Sequence, residues 1–317
     1  MNESTDWRRI RDRIATQLIR VSAWLSIAVM FLILTFVAKE ALPLFFDEAS
    51  VAEAGWGKLF LSQDYGTPEA PLPHVWQPVS GEPKYSLVPL LIGTLKITVI
   101  AMLIATPLSI AAAVYTAEFA SGRAREVLKP LVELLAGFPS VVLGFFALIV
   151  LASWLQDAFG FDYRLNAVVA GLALGLTVTP IIYTVCEDAL SAVPRKLREA
   201  SLALGATRAE TTLRVVLPAA MPGIVAGATL GFGRAVGETM IVLMASGNAA
   251  IASWNFTDSA RTLPATIAAE LAEVVFGSPH YQVLFFIGLM LFLITAVLNG
   301  ACSWLVGRLR SRLAGEA

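Results

Sequence analysis

Two ionisable residues stand where charge is costly. From Ala219 to Gly247 the chain carries no other charge, yet its centre reads Gly231-Phe232-Gly233-Arg234-Ala235-Val236-Gly237-Glu238-Thr239-Met240. At the middle of a membrane helix each such group costs about 2.5–3.5 kcal/mol. An arginine is always charged and presents two parallel N–H groups to an oxyanion, so Arg234 is a candidate to attract or line the path of an anion. Glu238 can hold the guanidinium while the anion is absent. At about 100° per residue Gly223, Gly227, Gly231, Arg234 and Glu238 share one helix face, and glycine at every fourth position lets a neighbouring backbone approach. This chemistry leaves two readings open. The pair lines an anion path, or it ties one turn of the bundle to the next, although arginine before glutamate is the weaker order for a helical pair.

The remaining chemistry-bearing residues are scattered. Lys96 lies about two turns inside the outer end of a span and is expected to snorkel to the surface. Glu118 and Glu133, near inner helix ends, are expected at the interface. His74 and His280 are far apart, and Cys186 and Cys302 sit in or beside apolar runs. No metal-ligand spacing results, and the cysteines read as packing residues.

The elements that must position these residues follow from composition. Of 317 residues 57% are hydrophobic and 15% charged, against about 45–50% and about 25% in soluble proteins. A helix needs about 20 mostly apolar residues to cross a bilayer, and six segments qualify: Val21–Ala38, Val88–Ala117, Leu131–Leu155, Leu165–Cys186, Ala219–Gly247 and Tyr281–Val306. The first follows a basic tail like a signal peptide, but no clear small-x-small site follows its apolar stretch. Sixteen of the 23 Lys and Arg fall in 1–20, 118–130, 187–218 and 307–317, and five in the alternate loops. The positive-inside bias therefore predicts that both termini are cytoplasmic. Pro107, Pro139, Pro180 and Pro222 interrupt spans and predict kinked helices in one bundle. The outer loop 39–87 is dense in proline, including Pro68, Pro71, Pro73, Pro78 and Pro83, and is expected to hug the surface without a folded domain. A net charge of −1 gives no basic field for nucleic acid.

Between the fourth and fifth spans, Val193 to Pro218 carries helix punctuation: Pro194 suits a first helical position, Gly205 a helix end, Thr207 with Glu210 a capping box, and Pro218 the next break. Two short helices with a bend at Gly205 are predicted. Glu199-Ala200-Ser201, three residues, Gly205, nine residues, Val215, one residue and Leu217-Pro218 resembles the E-A-A, x3, G, x9, I, x, L-P loop of ABC importer permeases. Ser201 and Val215 are conservative departures. Gly233-Arg234-Ala235-x-Gly237-Glu238-Thr239-Met240 resembles the fifth-span signature of phosphate importer permeases, in particular the C type of the Pst system. Further matches are Glu133–Gly144, the run from Tyr85 to Thr94, and Thr266–Tyr281, so the resemblance covers most of the chain after about residue 76.

The resemblance implies an all-α membrane protein with six transmembrane helices in the type I ABC importer permease fold. Its parts would be a basic cytoplasmic tail (1–20), a first helix and periplasmic loop (21–87), a five-helix core (88–306) with a coupling hairpin (193–218), and a cytoplasmic C-terminal tail (307–317). It implies a transport subunit of the bacterial inner membrane, not an enzyme, with Arg234 and Glu238 on the phosphate path. Glu199, Ala200, Gly205, Leu217 and Pro218 would belong to the coupling to a separate ATPase. The implied partners are a homologous A-type permease, two ATP-binding cassette subunits and a periplasmic phosphate-binding protein. No cofactor is expected on this chain: its Gly57-Lys58 pair is followed by Leu59 and lacks a phosphate-binding loop's glycine spacing. A permease for sulfate, molybdate or phosphonate is the nearest alternative. A membrane enzyme acting on lipid phosphate would need a nucleophile or metal set beside Arg234 and Glu238, and none is evident.

Overall fold

The computed structural model describes residues 3–63, 65 and 73–314. The chain ends 1–2 and 315–317, which belong to the two predicted tails, and Pro68 and Pro71 of the predicted loop lie outside the described residues. Among those described, six helical stretches are long and apolar enough to cross a membrane: Arg11–Phe46, Val88–Phe119, Ser140–Phe159, Ala167–Ser191, Arg208–Val236 and Pro279–Arg308.

Helix α1 (Glu3–Ala41) stands apart from the bundle, with none of its most apolar stretch buried. It meets α15 (Pro279–Ala314) through Phe36, which packs edge-on against Phe285 at 5.8 Å. Short helices α2 (Pro43–Phe46), α3 (Glu48–Ala54) and α4 (Trp56–Phe60) follow, then an antiparallel hairpin of β1 (Trp76–Gln77) and β2 (Lys84–Tyr85). This corrects the expectation of an unfolded surface loop. Leu44, Leu59, Trp76, Tyr85 and Leu87 form a buried cluster with Leu90, Leu263, Leu284 and Ile287. Apolar residues on either side of the proline cluster suffice to build a cap on the bundle.

The bundle centres on α5 (Val88–Val114), α9 (Ala167–Ser191) and α12 (Leu217–Val236). Lipid offers no hydrophobic force between helices, so close packing of small residues must bring them together. A Cβ on Gly227 would lie 3.2 Å from Val185, and one on Gly223 would collide with Ala189. The glycine face predicted from spacing thus seats α12 on α9. Beyond α5 a π-type turn, Tyr115–Phe119, leads toward α6 (Gly122–Ala136).

Two predicted spans differ from the structure. The third begins at Ser140 rather than Leu131, because α6 stops at Gly137-Phe138-Pro139 and the residue before a proline avoids helical backbone. The span proper is α7 (Ser140–Phe146), a π-type turn (Ala147–Leu151) and α8 (Ala152–Phe159). The fifth is not one helix to Gly247. It breaks at Gly237-Glu238-Thr239 and resumes as α13 (Met240–Ala245). A final short helix, α14 (Leu263–Glu270), belongs to the cap.

Candidate functional site

Arg234 lies in the last turn of α12 and Glu238 in the break beyond it, where the backbone N–H groups of Gly237 and Glu238 donate to Gly233 and Ala235. This placement, at a helix end and not at the expected middle of one continuous span helix, changes the energetics. A guanidinium at a helix C-terminus faces the unpaired carbonyl end of the helix, which favours a cation. Arg234 Nη2 and Glu238 Oε2 are 3.2 Å apart, so the predicted pair is present, and the weaker helical order does not apply because Glu238 has left the helix.

The two side chains are unequally placed. That of Glu238 is 4% exposed, whereas that of Arg234 is 52% exposed and borders a cavity of about 280 Å³. Ser140 and Thr177 are among its lining residues, with Leu135, Ala136, Phe138 and Ile181 the apolar remainder; the Thr177 hydroxyl donates to the Leu174 carbonyl at 2.7 Å. The α6–α7 break brings Phe138 and Ser140 to this cavity, and α9 brings Thr177 and Ile181. A guanidinium neutralised on one side and open on the other can receive an oxyanion.

The 193–218 hairpin forms α10 (Arg195–Ala203) and α11 (Arg208–Thr211) around Gly205, whose φ is +90°. That left-handed backbone is where glycine avoids a steric penalty. Both halves of the capping box are present: Thr207 Oγ1 accepts from Glu210 N at 3.2 Å, and Glu210 Oε2 accepts from Thr207 N at 2.9 Å. Ser201, a departure from the alanine of the loop pattern, hydrogen-bonds Thr211 across the bend at 2.9 Å. Glu199 and Ala200 are exposed, and Leu204 at the tip is 89% exposed. Pro194 sits one residue before α10 rather than in it. Pro218 marks no break: a π-type turn, Thr212–Val216, carries the helix onward into α12, and the proline follows directly after that wider turn.

Other charged residues differ from expectation. Lys96 does not snorkel to the surface; it is 1% exposed and its Nζ donates to the carbonyls of Ser253 and Asn255 at 3.2 and 2.8 Å, because the 246–262 segment folds over it. Glu133 is exposed, but Glu118 is buried against Arg198. Sequence reasoning missed two clusters. Glu187 at the foot of α9 is 0% exposed and pairs with Arg125 and Lys129 of α6. In the cap, Glu270 accepts from Trp76 Nε1 at 3.0 Å, pairs with Arg261, and meets His280 Nε2 at 2.9 Å. For the first, the Arg125/Lys129 spacing of four residues was a signal, since it places both on one face of a helix. In the second, Trp76 is 194 residues from Glu270, while Arg261 and His280, nine and ten residues away, fall outside α14 and share no helical spacing with it.

Residues 105–314 match the family described as binding-protein-dependent transport system inner membrane component. The probable ABC transporter permease protein YqgH of Bacillus subtilis is 37% identical over 217 residues, covering 68% of this chain and 70% of that protein. The phosphate transport system permease protein PstC of Mesorhizobium japonicum is 33% identical over 256 residues, covering 75% and 77%. Among solved structures, a bacterial ABC transporter that imports the acidic polysaccharide alginate superposes with a TM-score of 0.62 over 95% of this chain and 99% of that one, at 14% identity. The inward-facing MetNI methionine ABC transporter gives 0.57 over 70% and 95%, at 20% identity. These two likenesses concern the fold alone. With two thirds of its length inside the family match and relatives above 30% identity along most of it, the chain belongs to the binding-protein-dependent transport system inner membrane components, the permease subunits of ABC importers.

Proposed function

We propose that this permease passes inorganic phosphate through the cavity beside Arg234, driven by a separate ATPase docked on the 193–218 hairpin. The observation that carries the reading is the half-open guanidinium: paired with buried Glu238 on one side, it borders a cavity lined in part by Ser140 and Thr177 on the other. Phosphate is favoured among oxyanions because relatives covering most of the chain are named as phosphate transport permeases.

The charge bias puts the termini and the hairpin in the cytoplasm of a bacterium and the cap outside its inner membrane. Glu199 and Ala200 would meet the ATPase, Gly205 would set the bend, and Leu217 and Pro218 would start α12. ATP would be bound by two copies of that partner. A homologous A-type permease would complete the path, and a periplasmic binding protein would deliver phosphate to the cap. Arg234 lowers the barrier for a dianion in a low-dielectric interior, and Glu238 reclaims the guanidinium once the anion has left.

Arg234→Gln tests this. A lost hydrogen bond to a charged group is worth about 1.5–3 kcal/mol, so initial phosphate uptake is expected to fall about tenfold to a hundredfold with assembly of the complex intact. Wild-type uptake by this variant would remove Arg234 from the path. Uptake of sulfate and not phosphate by the unaltered protein would replace the substrate.

A further inference from the structure

The foot of α9 is joined to α10 by three residues, 192–194, which belong to no helix. Such a link alone would let α10 swing without moving the bundle. Arg198 of α10 bridges it. Its Nη2 donates to Glu118 Oε1 at 2.7 Å and to the Leu190 carbonyl at 2.8 Å, its Nε donates to Glu118 at 3.2 Å, and its Nη1 donates to the Val193 carbonyl. One guanidinium therefore holds the hairpin to the π-type turn that follows α5 and caps α9 with a cation where helix-end carbonyls favour one. The fork of Arg198 fixes direction as well as distance, which a lysine would not.

The same foot of α9 holds a second helix. Fully buried Glu187 receives Arg125 and Lys129 of α6, the latter at 2.7 Å, and Ser191 donates to it at 3.0 Å. Helix α6 ends in Leu135 and Ala136, and α9 carries Thr177 about 20 Å and Ile181 about 14 Å above Leu190 at 1.5 Å per residue. All four residues line the cavity beside Arg234. The α6 wall is thus tied by ionic contacts to the foot of α9, whose upper part is the second wall, and that foot is tied to the hairpin by Arg198.

We propose that Arg198 and Glu118 are positioning residues forming a strut that converts movement of α10 into movement of the α6 and α9 walls of the cavity. Without the strut, the hairpin follows its ATPase and the cavity does not follow the hairpin. The proposal rests on the hairpin docking an ATPase, and it adds which contact transmits the movement.

The test uses the assembled complex in proteoliposomes with its binding protein, measuring phosphate taken up per ATP hydrolysed. Mutations along a coupling route change coupling by factors of about 2 to 30. Glu118→Gln is expected to lower phosphate per ATP about tenfold, while the ATPase subunit still co-purifies and hydrolysis continues. Glu118→Asp, which keeps the charge, is expected to retain most of the coupling. Unchanged phosphate per ATP in Glu118→Gln would overturn the strut, as would equal failure of Glu118→Asp. If Glu118→Gln does not assemble, Arg198→Lys decides, because it keeps a cation on the α9 carbonyls and loses the fork: lowered phosphate per ATP in the assembled complex supports the strut, and unchanged phosphate per ATP overturns it. Failure of the docking or phosphate reading would show instead in the unaltered complex, as absence of a bound ATPase or of phosphate uptake.

Discussion

At the scale of single residues the site depends on asymmetry. Glu238 is buried and Arg234 is half open, so an anion in the cavity meets the arginine first and the glutamate only through it. Removing each charge should therefore have unequal effects. Glu238→Gln leaves the guanidinium facing the cavity with the carbonyl end of α12 behind it, which retains attraction for an anion and loses only the group that competes for it. Uptake is expected to slow in Glu238→Gln, but less than in Arg234→Gln. In both, the phosphate concentration giving half-maximal uptake should stay where the binding protein sets it. Initial rates across a phosphate series check both points. A Glu238→Gln defect as deep as that of Arg234→Gln would mean that the pair acts as a structural tie, the other reading the bare chemistry allows.

At the scale of elements the hairpin depends on one backbone conformation. Nothing lies within 4 Å of a Cβ placed on Gly205, so a larger side chain there meets no obstacle; what opposes it is the φ of +90°. A β-branched residue in such a conformation costs roughly 1–3 kcal/mol, and straightening the bend relieves that cost while parting Ser201 from Thr211. Gly205→Val is thus expected to weaken ATPase retention and phosphate uptake together, while leaving the melting temperature of the isolated permease within a few degrees of wild type. Pull-down of the ATPase beside uptake checks it. This hairpin was legible in sequence because its signals are local: the capping box spans 207 to 210, and glycine at 205 has a single conformational purpose. The glycine face of α12 was legible because its repeat is set by the helix itself. The breaks at 137–139 and 237–239 were misplaced because hydropathy continues across them, and only backbone sterics and the end of α12 register the interruption. Glu118–Arg198 was hidden because its partners lie 80 residues apart, and Glu187 because Arg125 lies 62 residues from it, although the Arg125/Lys129 spacing marks the face of α6 that meets it.

At the scale of the whole molecule the described residues form two buried clusters, one in the bundle and one in the cap, and the second is assembled from segments as far apart as 41–59 and 263–287. Glu270 joins those segments: α14 carries it, β1 supplies Trp76, the start of α15 supplies His280, and the strand-poor 246–262 segment supplies Arg261. Burial alone would raise its carboxyl, but hydrogen bonds from His280 and Trp76 and the charge of Arg261 outweigh it and hold the group below the ordinary carboxylate range. A carboxyl depressed on folding binds its proton more weakly in the folded than in the unfolded chain. Its contribution to stability is then complete above the unfolded value, about 4.3 for glutamate, and is lost as pH falls toward the depressed folded value. Glu270→Gln removes that contribution at every pH and leaves the Arg261 guanidinium without its buried partner. The variant is expected to melt several degrees below wild type at neutral pH, and the difference should narrow as pH falls below about 4. Thermal melts of the detergent-solubilised permease across that range check it. A gap that stayed constant into acid would mean that Glu270→Gln loses packing rather than charge, and that the cap is held by its apolar cluster alone.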